Sequence, residues 1–141
     1  MDRSWPTRGT IQEEGIHHIV IYLRLCSGRE PAAEFYDALP PRDARRFRGL
    51  WRRTARYGSV ANDDLYFKVK GSDNIYAFRI GKWWMFSFMD SERFVLLTGG
   101  AVITGRCPRS QIEKAENLRH EYLRGLKVKE FPAYRKGSAV Q

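Results

Sequence analysis

Cysteine and histidine are scarce in this sequence, which limits the metal and disulfide chemistry that it can support. The chain of 141 residues contains two cysteines, Cys26 and Cys107, and three histidines. The cysteines lie far apart without a partner motif, and His17 and His18 fall within an apolar run that has no cysteine at zinc-site spacing. We therefore expect free thiols, no metal site and no cofactor.

Long apolar runs are also absent. No segment approaches the length that crosses a bilayer, and the first residues lack the apolar core of a signal peptide. Hydrophobic residues make up 43% of the chain and aromatic residues 13%, which argues against disorder throughout. We expect a cytoplasmic protein without membrane contact, with one domain over residues 15–127, a flexible extension over 1–14 and a basic flexible tail over 128–141.

Acidic residues are too few to balance the basic ones. There are 16 Asp and Glu against 25 Lys and Arg, so the formal net charge is +9. An excess of this size favours polyanions through long-range attraction and counterion release. RNA, DNA and an acidic protein all remain open as partners at this point.

Helical and strand patterns follow one another in a defined order. Apolar spacing predicts three helices, over residues 32–39, 42–57 and 110–126. Pro40-Pro41 separates the first two, which we expect to form an αα-hairpin. Runs of β-branched and aromatic residues predict four strands, over residues 16–25, 75–80, 82–89 and 93–98. Residues 65–70 fit either a short strand or a packed loop, and Gly99-Gly100 is expected to interrupt the last strand.

Alternation assigns the strand side chains to two faces. We expect Trp84 and Phe86 to meet the helices, which leaves Trp83 on the face away from the core. In the preceding strand, Phe78 is expected in the core and Arg79 on the opposite face.

The predicted helix over residues 42–57 has one apolar side and one side of arginines. The basic side carries Arg45, Arg46, Arg48, Arg52, Arg53 and Arg56. Six arginines with so few intervening acids are unusual for a purely solvated face. This side is therefore expected to bind RNA or an acidic segment of a protein partner.

Four segments in the second half of the chain resemble one protein family. They are Ile75-Tyr-Ala-Phe-Arg-Ile80, Gly81-Lys-Trp-Trp-Met-Phe-Ser-Phe88, Phe94-Val-Leu-Leu-Thr-Gly99, and Pro108 followed by Ile112-Glu-Lys-Ala115. Their order and spacing resemble the RelE/ParE superfamily of bacterial toxins, and HigB-like members in particular. The resemblance implies an α+β fold with an N-terminal strand, an αα-hairpin, a three-strand antiparallel meander and a C-terminal helix packed on one sheet face.

The same resemblance implies a function. Such toxins belong to type II toxin–antitoxin systems and inhibit translation as ribosome-dependent endoribonucleases that cleave messenger RNA. The implied partners are the ribosome, the messenger and a cognate antitoxin, a small helix-turn-helix protein. The 2′-hydroxyl of the RNA attacks the adjacent phosphate, while basic side chains stabilise the developing charge.

The resemblance also suggests site residues. Arg79 matches the family's strand arginine, and Lys68 and Lys70 resemble paired lysines that lead into the sheet of some members. Arg106 and Arg109 flank Pro108 at the start of the last helix, where phosphate is attracted. We expect Arg79, Lys68, Lys70 and Arg106 to be catalytic and Arg109 to bind RNA. The alternative for Arg79 is an exposed strand arginine paired with a neighbouring acid. For Lys68 and Lys70 it is a pair of solvated loop lysines, and for Arg106 and Arg109 a solvated helix cap.

The remaining suggested RNA contacts come from elsewhere in the chain. They are Arg45, Arg46, Arg52, Arg53 and Trp83. Trp83 is suited to stack on a base, and the alternative is a packing residue or a contact with the antitoxin.

Two positions differ from the family pattern and favour another function. Trp83 stands where members usually have an arginine, and Val102-Ile103 stand where HigB-like members have two lysines. The alternative is therefore a non-nucleolytic relative on the same fold, either a ParE-like gyrase inhibitor or an inactive binding protein. A basic nucleic-acid-binding domain outside the family is a further alternative.

Overall fold

The computed structural model of the chain describes residues 6–7, 10–14, 19–57, 64–91, 93–125, 131–132 and 134–135, and side chains within 20–57, 64–91 and 93–125. Three helices are present in these ranges: α1 (Pro31–Asp37), α2 (Pro41–Tyr57) and α3 (Arg109–Gly125). The longer strands are β2 (Thr10–Glu14), β3 (Ile19–Tyr22), β4 (Tyr66–Lys68), β5 (Tyr76–Ile80), β6 (Trp83–Asp90) and β7 (Arg93–Ala101). Two-residue strands are β1 (Pro6–Thr7), β8 (Phe131–Pro132) and β9 (Tyr134–Arg135).

One mixed sheet organises the molecule. Its strand order is β4-β5-β6-β7-β3-β2-β9, and β1 pairs separately with β8. The strands β4 to β7 pair antiparallel, which confirms the expected meander and adds β4 to it. β3 lies parallel to β7, so the chain crosses from one to the other through α1, α2 and the meander. The α+β class expected from the sequence is confirmed.

Both faces of the sheet are buried, which corrects the expected division into a core face and an outer face. On one face α3 packs on Trp84, Phe86 and Phe88. On the other face α1 and α2 pack on Phe78 and Met85, which are opposite each other in the β5–β6 pairing. The sheet is therefore a central layer, because helices cover it on both sides and each face needs its own apolar side chains.

Proline positions determine where α1 and α2 begin. Pro31 is the first residue of α1, and Pro41 is the first residue of α2. A proline at this position has no intrahelical N–H to lose, so it starts a helix readily and ends the preceding one. The arginine-rich helix buries Phe47, Leu50, Trp51, Thr54 and Ala55, as its apolar spacing predicts.

The glycine pair at 99–100 does not interrupt β7, contrary to the sequence-based expectation. The strand continues through both residues to Ala101. A Cβ on Gly99 would lie 2.3 Å from the ring of Phe35 in α1, and one on Gly100 would lie 2.5 Å from Gln111 in α3. Glycine is present because a helix approaches the strand closely on each face, not because the chain turns.

Parts of both expected terminal extensions are strands in the structure. Thr10–Glu14 pairs antiparallel with β3, and β9 in the expected tail pairs parallel with β2. Without β2, one edge of β3 would present unpaired backbone groups, which gives a physical reason for this pairing. The expectations for 1–5, 8–9, 15–18, 126–130, 133 and 136–141 lie outside the described residues. Within the described ranges, no helix combines the length and the apolar character needed to cross a membrane.

Candidate functional site

A cavity of about 750 Å³ opens between the end of β4, the start of β6 and the N-terminal end of α3. Its lining residues are Phe67, Lys68, Lys70, Gly71, Trp84, Gly105, Arg106, Cys107, Pro108, Arg109 and Ile112. Four of the predicted site residues, Lys68, Lys70, Arg106 and Arg109, therefore lie around one space. Sequence spacing alone does not show that Lys68 and Lys70 lie close to Arg106 and Arg109.

The turn between β4 and β5 follows Lys68, the last residue of β4, and carries Lys70; local hydrogen bonds shape it. Gly71 has φ +84°, a conformation that L side chains rarely adopt. The Ser72 hydroxyl donates to the carbonyl oxygens of Val69 (2.6 Å) and Ile75 (3.2 Å). These bonds close the turn between the two strands and hold Lys70 at its tip.

Contacts with α3 fix this turn beside the helix. Nη1 of Arg109 donates to the carbonyl oxygen of Gly71 at 2.8 Å, and the backbone N–H of Asp73 donates to Glu116 at 2.8 Å. Arg109 also pairs with Glu113 (3.3 Å) and Glu116 (3.8 Å). Arg109 thus acts as a brace between the turn and the helix, in addition to lining the cavity.

The cavity is electropositive. Among the residues that the structure describes, its lining contains four cations and no carboxylate, histidine or tyrosine. Lys68 donates to the carbonyl oxygen of Ser72 at 2.8 Å. Lys70 and Arg106 are exposed and form no ion pair with any residue in the described part of the chain. These two side chains are therefore the cations best placed to contact an anion.

One wall of the cavity is aromatic, and sequence reasoning missed its residues as site residues. The rings of Phe67 and Trp84 pack edge to face with centroids 5.0 Å apart. Trp84 was expected to be a core residue, and it is one, with its rim reaching the cavity. No signal in the sequence indicated Phe67, because strand alternation would place its ring on the opposite face from Lys68.

Cys107 is another lining residue that sequence reasoning did not indicate as a site residue. Its thiol is half-buried, and burial raises its pKa above the ordinary value. The thiol is therefore kept protonated at neutral pH. Together with the lysine amines it completes the set of lining side chains that can exchange a proton.

Arg79 lies next to the cavity but outside its lining. It is exposed on β5, directly opposite Trp84 in the pairing with β6, and its Nε donates to the carbonyl oxygen of Gly81 at 3.2 Å. Its predicted catalytic role stays a prediction.

Trp83 lies on the opposite face of the sheet from the cavity. Its Nε1 donates to Oδ2 of Asp43 at 3.0 Å, its ring packs against Phe35 with centroids 6.1 Å apart, and Nζ of Lys82 lies 4.8 Å from its centroid. The expectation that it lies away from the core is wrong, because α1 and α2 cover this face. Its predicted RNA contact stays a prediction.

The predicted arginine contacts of α2 are exposed, as the helical spacing indicated. Arg45, Arg46, Arg52 and Arg53 all face outward. Arg48 differs, because its guanidinium lies over the rings of Tyr36 (5.3 Å) and Trp51 (5.7 Å) and is partly buried there. α2 lies on the sheet face opposite α3, so these arginines do not line the cavity.

The two positions that replace the family's lysine pair have different environments. Val102 is buried in the core beneath α3, whereas Ile103 is 83% exposed in the loop that leads to the cavity.

No protein-family model matches this chain, and no curated protein is significantly similar to it in sequence. A functional assignment therefore depends on the site itself and on the resemblance of the four segments.

Proposed function

We propose that this chain is the toxin of a type II toxin–antitoxin system and acts as a ribosome-dependent messenger RNA endoribonuclease. The observation that carries the proposal is the convergence of Lys68, Lys70, Arg106 and Arg109 on one cavity with an aromatic wall. Clustered cations suit a phosphate backbone, and the half-buried ring of Phe67 suits contact with an unstacked base. Both are features of sites for single-stranded RNA.

The order of elements supports the RelE-like arrangement as part of this proposal. An N-terminal strand precedes an αα-hairpin, and β3 pairs parallel with the last strand of the meander. α3 packs on one sheet face, as the resemblance implies. Further partners under this proposal are a cognate helix-turn-helix antitoxin and the ribosome.

The proposed reaction transfers a phosphoryl group within the RNA. The 2′-oxygen forms a bond to the adjacent phosphorus, the bond from phosphorus to the 5′-oxygen breaks, and the products are a 2′,3′-cyclic phosphate and a 5′-hydroxyl. Lys70 and Arg106 would stabilise the charge that develops on the phosphate oxygens. The Lys68 ammonium is the candidate for donating a proton to the departing 5′-oxygen, while the proton of the 2′-hydroxyl passes to solvent. Arg109 would hold the turn in position.

Primer extension on a defined messenger tests this proposal. Purified protein is incubated with and without programmed ribosomes, and Lys70→Ala and Arg106→Ala are compared with Arg124→Ala. Arg124 is an exposed cation in the last turn of α3, about 22 Å along the helix from Arg109, and serves as the charge-matched control. Cuts should appear with ribosomes, and each cavity substitution should slow them by about 100-fold. Equal rates in all four proteins would contradict the proposal.

A second candidate function is binding without cleavage, as in a ParE-like gyrase inhibitor or an inactive relative. The observation that favours it is that the lining residues within the described part of the chain include no carboxylate, histidine or tyrosine. Such groups are the usual agents of proton transfer. If folded protein makes no cuts under either condition, inhibition of gyrase supercoiling becomes the deciding assay.

A further inference from the structure

The helix α2 carries most of the net charge of the protein. Its 17 residues include seven arginines and one aspartate, a net charge of +6 out of +9 for the whole chain. Six of these arginines are exposed. We call the five that lie beyond the first turn of the helix the α2 arginine surface: Arg45, Arg46, Arg52, Arg53 and Arg56. The one acid, Asp43, accepts the hydrogen bond from Trp83.

The α2 arginine surface has a regular geometry. Arg45 and Arg52 are seven residues apart, as are Arg46 and Arg53, so each pair lies on one side of the helix with a rise of about 10.5 Å between its members. Towards the end of the helix, a cavity of about 400 Å³ is lined by Arg52, Arg53, Arg56 and Tyr57. Tyr57 is 64% exposed.

Helix stability does not explain this arrangement. Arginines three and four residues apart repel one another, and Arg42, Arg45 and Arg46 lie in the first half of the helix, where the macrodipole disfavours cations. Lysine is absent from α2, although both residues would serve solubility equally. Arginine is distinguished by its planar fork, which binds phosphate or carboxylate through two hydrogen bonds.

The exposed side of α2 lacks the apolar groups that a protein partner needs. A stable protein–protein interface has a desolvated core of aromatic or aliphatic anchors. The large apolar residues of α2, Phe47, Leu50 and Trp51, are buried against the sheet, and Tyr57 is the one exposed aromatic residue of this helix. Nucleic-acid interfaces, in contrast, are polar and strongly positive. The chemistry favours a phosphate backbone over an acidic protein.

We propose that the α2 arginine surface is a second RNA-docking site, which holds the phosphate backbone of a double-stranded or folded RNA segment without reading its sequence. The choice of RNA among polyanions rests on the proposed function. The sheet separates this surface from the cavity beside α3, so one nucleotide cannot contact both. The molecule would therefore hold two RNA segments at once, a single strand in the cavity and a structured segment on α2.

Binding of a labelled RNA duplex of about 20 base pairs tests the proposal, because such a duplex is too regular to enter the cavity as a single strand. Fluorescence anisotropy is measured from about 50 to 200 mM salt for the wild type, for Arg46→Gln/Arg53→Gln and for Lys114→Gln/Arg124→Gln. The second pair removes two exposed cations from α3 and is the charge-matched control. Glutamine keeps helix propensity, and circular dichroism checks the fold.

The α2 pair should lower the slope of log affinity against log salt by about 2, so the loss of affinity across this salt range shrinks by about tenfold. The α3 pair should leave the slope near that of the wild type. Equal changes in the two variants, or an unchanged slope in the α2 pair, would overturn the proposal. The proposal would also be overturned if polyglutamate displaced the labelled duplex as effectively as unlabelled duplex does, because an acidic protein would then fit the surface equally well.

Failure of the proposed function gives a different pattern. In that case Lys70→Ala and Arg106→Ala would leave single-stranded RNA binding and cleavage unchanged, whatever the duplex does on α2. If instead the cavity substitutions act and the α2 pair does not, the proposed function stands and the second docking site is overturned.

Discussion

Gly99 and Gly100 offer a matched test of how closely the two helical layers approach the sheet. In Gly99→Ala the new Cβ would lie 2.3 Å from Cδ2 of Phe35, and in Gly100→Ala it would lie 2.5 Å from Oε1 of Gln111. Both separations are shorter than van der Waals contact, so something has to move in each variant. The substitutions are adjacent and chemically identical, so they change the unfolded chain almost equally while meeting different neighbours.

The expected costs in unfolding free energy differ because the Gln111 side chain can move aside more easily than the ring of Phe35. Phe35 is partly buried against the ring of Trp83, so α1 has to shift, and overpacking of this kind costs about 1–3 kcal/mol. Replacing glycine reduces the freedom of the unfolded chain and offsets about 0.4–1 kcal/mol of that cost. Gln111 can rotate away and lose its 3.1 Å hydrogen bond to the carbonyl oxygen of Ala101, at about 0.5–1.5 kcal/mol.

We therefore expect Gly99→Ala to lower the free energy of unfolding by about 1–2 kcal/mol, with Gly100→Ala within about 0.5 kcal/mol of the wild type. Urea titration followed by tryptophan fluorescence measures both, and an unchanged m-value confirms that the unfolding transition is comparable. Equal destabilisation by the two substitutions, or a neutral Gly99→Ala, would refute the reasoning from the positions of Phe35 and Gln111.

Two further predictions concern the cavity and the core beneath α3. In Cys26→Ser protein, alkylation of Cys107 should weaken single-stranded RNA binding by about tenfold or more because the added group fills space in the cavity, whereas the same treatment of Cys107→Ser protein should not. Since burial raises the pKa of the Cys107 thiol, the rate of labelling should rise as the pH passes the ordinary thiol value of about 8.5. A labelling rate at about pH 8 equal to that of the unfolded protein would contradict this. Tyr122→Phe removes the 2.7 Å hydrogen bond to Asp90 and should cost about 1–2 kcal/mol of stability by urea titration, because Asp90 keeps solvent and Arg93 as other partners; no change would show that this bond contributes nothing net.

Local patterns in the sequence predicted the elements well. The 3.6-residue spacing of Phe47, Leu50, Trp51 and Thr54 predicted both the extent of α2 and the side that it buries. The aromatic and β-branched runs predicted β5, β6 and β7 to within a few residues. These features depend on residues that are close together in the sequence, so local patterns are enough to predict them.

The assignment of faces was less successful, for a reason visible in β6. Trp83, Trp84, Met85 and Phe86 are consecutive apolar residues, and such a run has no polar face to mark the solvent side. A continuous apolar strand is typical of a sheet that is covered on both faces. The same two-sided packing explains the glycine pair, because both helical layers are close to the strand there.

The cavity could be predicted only in part. Lys68 and Lys70 were suggested from one segment and Arg106 and Arg109 from another, without evidence that they meet. Their meeting depends on bonds between distant segments, such as the contact of Arg109 with Gly71, 38 residues away in sequence. No local pattern encodes such a contact, and the aromatic wall was hidden because its residues also belong to the core.

The two proposed RNA sites together give ribosome dependence a physical cause. The cavity has a volume of about 750 Å³, which accommodates one or two nucleotides, so a free single strand would gain few contacts there. A structured RNA held on the α2 arginine surface would raise the effective concentration of any single strand that belongs to the same particle. The ribosome offers both kinds of RNA together, whereas an isolated messenger offers mainly the single strand. Cleavage that requires the ribosome is then the behaviour expected of two weak sites on opposite faces of one sheet.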